Sequence, residues 1–214
     1  MKRKSVFITE TFTSIQGESS WAGCPCFFVR LSGCNLRCHY CDSKHSYPRG
    51  RKRSIASLAR QFAASSAAIA EITGGEPLNQ PGFPALALAM REAGRGRPVV
   101  VETNGSKNIA AIPDGVIAIM DVKCPDSGEA AAMDLGNLSR LRPCDEVKFV
   151  ISSRRDFGWA RRLVVKHGLA QRCRAVLFSP VQERIPASLL ASWVLEAGLP
   201  VRVQVQLHKV IGVQ

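Results

Sequence analysis

With 214 residues, 46% of them hydrophobic and 21% charged, the chain has the make-up of a globular protein with room for one sizeable core, which excludes an intrinsically disordered chain. No apolar run reaches the roughly 20 residues that cross a bilayer, and the basic start through Ser5 leads into a stretch too short and polar for a signal peptide; a cytoplasmic protein with no membrane partner is expected. The formal charge of +12 raises the question of nucleic acid, but the basic residues are scattered without aromatic interleaving, so no such partner is expected.

Unbroken apolar segments alternate with helix-like ones along the chain. Strands are expected over residues 26–31, 68–73, 98–102, 116–121, 146–151, 175–178 and 201–206, mostly apolar throughout, as in parallel strands covered on both faces. Helical periodicity occupies residues 55–64, 84–93, 154–167 and 186–197, with Gly94, Gly168 and Gly198 placed as C-terminal caps. About six βα units predict a single α/β domain with a parallel sheet. A full barrel takes about 250 residues, so an incomplete, open barrel of the (β/α)6 type fits this length better. In such folds chemistry gathers at the C-terminal ends of the strands. Here those ends carry Ser32-Gly33-Cys34, Gly74-Gly75-Glu76-Pro77, Thr103-Asn104-Gly105, Val122-Lys123-Cys124, Ser179-Pro180 and Leu207-His208-Lys209.

Three of the eight cysteines fall close together, in Cys34-Asn35-Leu36-Arg37-Cys38-His39-Tyr40-Cys41. A reducing compartment disfavours disulfides, so a metal or cluster site is the better reading of the trio. Three thiolates on one loop can hold an iron–sulfur cubane that normally takes four, leaving one iron open to an outside ligand such as S-adenosylmethionine (SAM). The same loop could instead hold zinc, with His39 or His45 completing the set. A redox dithiol of Cys38 and Cys41 leaves Cys34 unexplained. Cys24, Cys26, Cys124, Cys144 and Cys173 read as structural, since free cysteine is readily buried.

The CxxxCxxC spacing, the aromatic Tyr40 before its last cysteine, and Gly74-Gly75-Glu76-Pro77 after a strand together resemble the radical SAM superfamily. Ser14-Ile15-Gln16-Gly17-Glu18, Asp42-Ser43 and Gln204-Val205-Gln206-Leu207-His208-Lys209 narrow the resemblance to the 7-carboxy-7-deazaguanine synthase family, over nearly the whole chain. That resemblance implies a [4Fe–4S] cluster on Cys34, Cys38 and Cys41, SAM as a regenerated source of a 5′-deoxyadenosyl radical, and Mg²⁺. It also implies a homodimer, and an electron-donor protein such as flavodoxin or ferredoxin. The implied activity is that of a carbon–nitrogen lyase. It contracts the ring of 6-carboxy-5,6,7,8-tetrahydropterin to give 7-carboxy-7-deazaguanine and ammonia, on the route to queuosine and other deazapurines. A glycyl-radical-enzyme activase shares the cluster motif but leaves the Gln-Gly-Glu segment and the Gln-Leu-His-Lys ending unexplained. A non-catalytic zinc or RNA-binding module is favoured only by charge and by the Cys/His loop.

Carried onto this chain, the resemblance places Gly74, Gly75, Glu76, Glu102, Thr103, Asn104, Lys123 and Ser179 at SAM. It places Gln16, Gly17, Glu18, Arg30, Thr73 and His208 at the substrate, and Asp42 and Ser43 at Mg²⁺, Ser43 standing where family members commonly have threonine. The residue chemistry suits those roles. Gln16 and Glu18 supply an amide and a carboxylate for a pterin's donor–acceptor edge. Arg30 shares a strand face with Ser32 and Cys34, where it can clamp a substrate carboxylate or pair with a glutamate inside the barrel. His208, expected at the end of the last strand, could bond the substrate or shuttle a proton. The glycines of the Gly-Gly-Glu-Pro turn are expected to let the backbone approach the SAM amino group.

Overall fold

A computed structural model describes residues 4–214; the basic residues Met1 to Arg3 lie outside the described residues. Seven strands run from β2 (Pro25–Leu31) through β4 (Ile69–Gly74), β5 (Val99–Thr103), β6 (Ile117–Val122), β7 (Glu146–Ile151), β8 (Ala175–Pro180) and β9 (Arg202–Val203), each parallel to the one before it in the series. This is the expected α/β class. Two antiparallel strands extend the sheet beyond β2: β1 (Ser5–Ile15) pairs with β2, and β3 (Arg51–Ser54) pairs with the far side of β1. The sheet order is β3-β1-β2-β4-β5-β6-β7-β8-β9, an open sheet with β3 and β9 at its edges.

Neither β1 nor β3 was anticipated. β1 reads Ser-Val-Phe-Ile-Thr-Glu-Thr-Phe-Thr-Ser-Ile, and most of it is only half-buried. A search for unbroken apolar runs passes over it, although its β-branched and aromatic content favours a strand. At the other edge the expected strand over 201–206 shrinks to Arg202–Val203. The glutamines that follow are drawn into side-chain bonds: Gln204 accepts from the Ser19 N–H at 2.6 Å, and Gln206 donates to Glu18 at 2.7 Å. His208 therefore does not end a strand. It lies on a short helix after the sheet edge.

The helices are α1 (Ile55–Ala64), α2 (Phe83–Gly94), α3 (Asn137–Arg140), α4 (Arg154–Lys166), α5 (Leu169–Arg172), α6 (Ala187–Ala197) and α7 (Leu207–Ile211). Gly168 and Gly198 take the left-handed conformation expected of caps, each with φ of 58°. Gly94 does not; Arg95 takes that turn instead, with φ of 52°. A Cβ on Gly94 would stand 2.9 Å from the Phe62 ring, so this glycine lets α2 pack closely on α1.

Alternation along the strands separates the two faces of the sheet. On the helix-covered face Val29, Leu31, Ile72, Val101, Met120, Phe149 and Phe178 join one continuous apolar core. Burying each such side chain contributes about 1.5–3 kcal/mol. The opposite face is different. Glu71, Glu102, Asp121 and Lys148 point from it toward a common cavity, and register sets Asp121 of β6 directly beside Lys148 of β7. No helix among the described residues is long and apolar enough to cross a membrane.

Candidate active site

The cavity has a volume of about 270 Å³ and opens at the C-terminal ends of the parallel strands. All the residues assigned above to cluster, SAM, substrate or Mg²⁺ line it, with the exception of Glu76. Glu76 is fully buried behind the wall. One of its oxygens accepts from the Leu78 N–H at 2.9 Å and the Thr103 hydroxyl at 2.8 Å, and the other from the Asn104 N–H at 2.7 Å. With both oxygens bonded to the chain, Glu76 holds the end of β5 in place and offers nothing to a ligand.

The glycines beside it have a local cause as well. Gly74 has φ of 133°, and a Cβ there would fall 2.0 Å from the Leu31 carbonyl oxygen; a Cβ on Gly75 would fall 2.1 Å from that of Gly33. The Gly75 and Glu76 N–H groups donate to Leu31 and Gly33 at 3.1 and 2.9 Å. The turn thus lies flat against the segment leading into Cys34, and a side chain would push the cysteine loop away.

Cys34, Cys38 and Cys41 all face the cavity as free thiols. Burial pushes the Cys38 thiol up to about 11, partly offset by Lys123. Each of the two histidines named for a zinc site has one ring nitrogen beside another partner. His39 Nδ1 lies 3.2 Å from the Asp126 carbonyl oxygen, and His45 Nε2 lies 3.5 Å from Glu10.

At the centre of the cavity floor sits Lys148. Its Nζ is 2.6 Å from Glu18 Oε2 and 3.5 Å from Asp121 Oδ2, and it also pairs with Glu102. Burial opposes the charge on Lys148, but Glu102, Glu18 and Asp121 raise its pKa well above the ordinary lysine value. Lys123 makes a second pair with Asp121 at 2.8 Å. Glu71, Asp121 and Lys148 were not picked out in the sequence. Glu71 and Asp121 are lone charges within strands that otherwise read as apolar, and Lys148 shares β7 with Glu146; all three stand at positions of inward alternation, and that signal would have found them.

Glu71 is nearly inaccessible and accepts a hydrogen bond from the Gln16 amide. Burial, then the neighbouring Glu102 and Glu18, push its pKa from 4.5 up to about 8. Between those values the folded chain keeps a proton that the unfolded chain has released, so this group makes stability fall as pH rises from 4.5 to 8. Glu71→Gln is expected to remove that slope: its melting temperature relative to the parent should climb steadily between pH 5 and pH 8 in thermal scans. A constant difference across that range would contradict the assignment.

The loop after β1 and the C-terminal segment form one wall. Gly17 accepts from the Leu207 N–H at 2.9 Å, and a Cβ on Gly17 would sit 1.8 Å from His208 Nδ1. Ser19, in the left-handed region with φ of 64°, is held by Gln204. Gly17→Ala should force the His208 ring away from the loop. If His208 touches substrate, KM rises by about tenfold or more through misplacement alone, measurable in steady-state assays. Arg30 makes the ion pair that was one of its two expected readings: Nε pairs with Glu10 at 2.9 Å, while its terminal nitrogens make no hydrogen bond among the described residues and the residue faces the cavity.

Residues 28–120 match the model of the radical SAM superfamily. A 7-carboxy-7-deazaguanine synthase of Koribacter versatilis is 42% identical, over 95% of this chain and 96% of its own length. The chain belongs to the 7-carboxy-7-deazaguanine synthase family. A second member, from Chlorobaculum tepidum, is 40% identical over 95% of this chain and 93% of its own. The crystal structure of QueE from Escherichia coli shares the fold, with a TM-score of 0.75 at 21% identity over 95% of each chain.

Membership makes the chain a radical SAM enzyme, with a [4Fe–4S] cluster and SAM as cofactors. The pocket fits them. Three thiols of one loop line it, and Asp121 Oδ1 and Tyr40 Oη, near Lys123 and Cys38, are buried without a hydrogen-bond partner. The zinc and activase readings lose support accordingly.

Proposed function

We propose that this chain converts 6-carboxy-5,6,7,8-tetrahydropterin to 7-carboxy-7-deazaguanine, releasing ammonia. The observation that carries the reading is a single cavity shared by Cys34, Cys38 and Cys41 with Gln16, Glu18, Arg30 and His208, in a chain whose relatives carry this synthase name. Bound at the cysteines, the reduced cluster and SAM supply a hydrogen-abstracting alkyl radical. The rest is the work of the chain's own side chains. Arg30, fixed through Nε by Glu10, presents its two terminal nitrogens to the substrate carboxylate as a fork. Lys148 locks Glu18 and Glu102 in place, so these carboxylates meet a ligand without first being ordered. His208, against Gly17, stands where it can hold or pass a proton.

Thr73 donates to Glu102 at 3.2 Å and keeps its hydroxyl oxygen for the substrate. Thr103, Asn104, Lys123, Ser179, Gly74 and Gly75 remain the proposed SAM contacts. Mg²⁺ is assigned to Asp42 and Ser43, whose hydroxyl donates to Asp42 at 3.0 Å. These are hard oxygens on the cavity wall, suited to a cation that keeps several waters and bridges to substrate. Lys209, 3.6 Å from Asp42, must give way. A homodimer in the cytoplasm, reduced by a flavodoxin or ferredoxin, completes the reading.

Its test is anaerobic incubation of the reduced, reconstituted protein with SAM and the carboxypterin. The expected result is 7-carboxy-7-deazaguanine by mass spectrometry, formed only with both present. A fully loaded cluster that cleaves SAM but yields no deazaguanine overturns the proposal.

A further inference from the structure

Four cavity-lining carboxyl groups surround Lys148 or its partners, and in three of them each oxygen is either bonded to the chain or buried. Glu18 accepts from Gln206 on one oxygen and from Lys148 and Gln204 on the other. Glu102 accepts from Lys148 and Thr73. Asp121 gives one oxygen to Lys123, and its other oxygen is buried. Glu71 differs. Its Oε2 accepts from the Gln16 amide, while Oε1 has no hydrogen bond among the described residues. Oε1 is not among the buried orphan atoms either, so it keeps access to the cavity that Glu71 lines.

We infer that Glu71 is a substrate-contacting specificity residue, donating a hydrogen bond from Oε1 to the ring carbonyl oxygen of the bound pyrimidine-fused heterocycle. The inference rests on the carboxypterin reading above. Gln16 dictates which oxygen carries the proton: an amide N–H needs an acceptor, so Oε2 serves as the carbonyl and Oε1 as the hydroxyl. The surroundings favour the protonated form. Glu18 faces Glu71 from the loop after β1, Glu102 from β5 and Cys26 from β2, with Lys148 of β7 the cation offsetting them. Burial and the two carboxylates outweigh Lys148 and push Glu71 up to about 8. A neutral acid complements a carbonyl oxygen, whereas a carboxylate would repel it. Gln16 is thereby a positioning residue, acting through Glu71.

Holoenzyme with SAM, parent and two variants, separates the possibilities by KM, kcat and product affinity between pH 6.5 and 9. In the parent, KM for the carboxypterin and Kd for 7-carboxy-7-deazaguanine, by calorimetry, should rise several-fold above pH 8. Glu71→Gln keeps a neutral donor, so KM should stay within a few-fold of the parent at pH 7, and the alkaline rise should vanish. Glu71→Ala should raise KM by about 10- to 100-fold at pH 7, with kcat changed far less and no alkaline rise. A Glu71→Gln enzyme that loses affinity as much as Glu71→Ala would show that an ionised carboxylate is needed, and would overturn the inference. So would three identical pH profiles. A parent that makes no deazaguanine and binds none overturns the functional reading, and this inference with it; an active parent with unaffected variants overturns this inference alone.

Discussion

Lys148→Met is expected to lower kcat/KM by about 100-fold or more and to destabilise the protein by about 3–5 kcal/mol, the cost of breaking a buried charge network from one side. The lysine side chain is 5% exposed and bonds to carboxylates from three separate elements, the loop after β1, β5 and β6. Without it, Glu18, Glu102 and Asp121 are left facing one another in a poorly solvated floor. Each must then take up a proton or swing away, and the cavity loses its shape. Adding Glu18→Gln to Lys148→Met removes one of the stranded charges, and the pair should recover part of the stability. Denaturant titration of the two single variants and the double variant gives the coupling. Additive losses would show that Lys148 is not the hub of the network.

Cys38→Ser is expected to abolish cluster assembly and SAM cleavage while leaving the fold in place. Cys38 belongs to a loop at the strand ends, outside the helix-covered core. Serine occupies nearly the same volume but cannot supply the soft thiolate that iron–sulfur chemistry requires. The purified variant should be colourless, with iron content far below the parent and no 5′-deoxyadenosine under reducing conditions. Its far-ultraviolet circular dichroism should match the parent. Cys144→Ser provides the contrast: this cysteine is exposed and does not line the cavity, so colour and activity should persist. A brown, active Cys38→Ser protein would contradict the assignment of the trio.

Much of this molecule was legible in its sequence because two periodicities were clean. The central parallel strands are buried on both faces, and their continuous apolar runs mark them within a residue or two at each end. The helices show their 3.6-residue pattern, and α1 coincides with the expected residues 55–64. What escaped detection did so for physical reasons. β1 mixes short runs of apolar and polar residues and is fully covered at only two positions, Val6 and Ile8. β3 is four mostly exposed residues, Arg-Lys-Arg-Ser, whose charges suit a sheet edge rather than a core. The final strand is cut short by side chains that bond across the molecule, which no local pattern records.

The site shows the same division. The cysteine and glycine motifs are local, so they could be read directly, although the glycines serve the packing of one turn on another as much as any ligand. The network of Glu71, Asp121 and Lys148 depends on register between strands distant in sequence. Glu76 looked like a ligand because it sits in a motif, yet its bonds to Leu78, Thr103 and Asn104 turn both oxygens inward. Type and position were visible; the direction in which each carboxyl points was not.

On the proposed function, radical initiation and the carboxypterin meet in this one cavity. Turnover of 6-carboxytetrahydropterin deuterated at C6, with unlabelled SAM under anaerobic reducing conditions, tests it most directly. Deuterium in the recovered SAM together with 7-carboxy-7-deazaguanine is the expected result. Deazaguanine formed with no label in SAM, or SAM consumed with no deazaguanine formed, would contradict it.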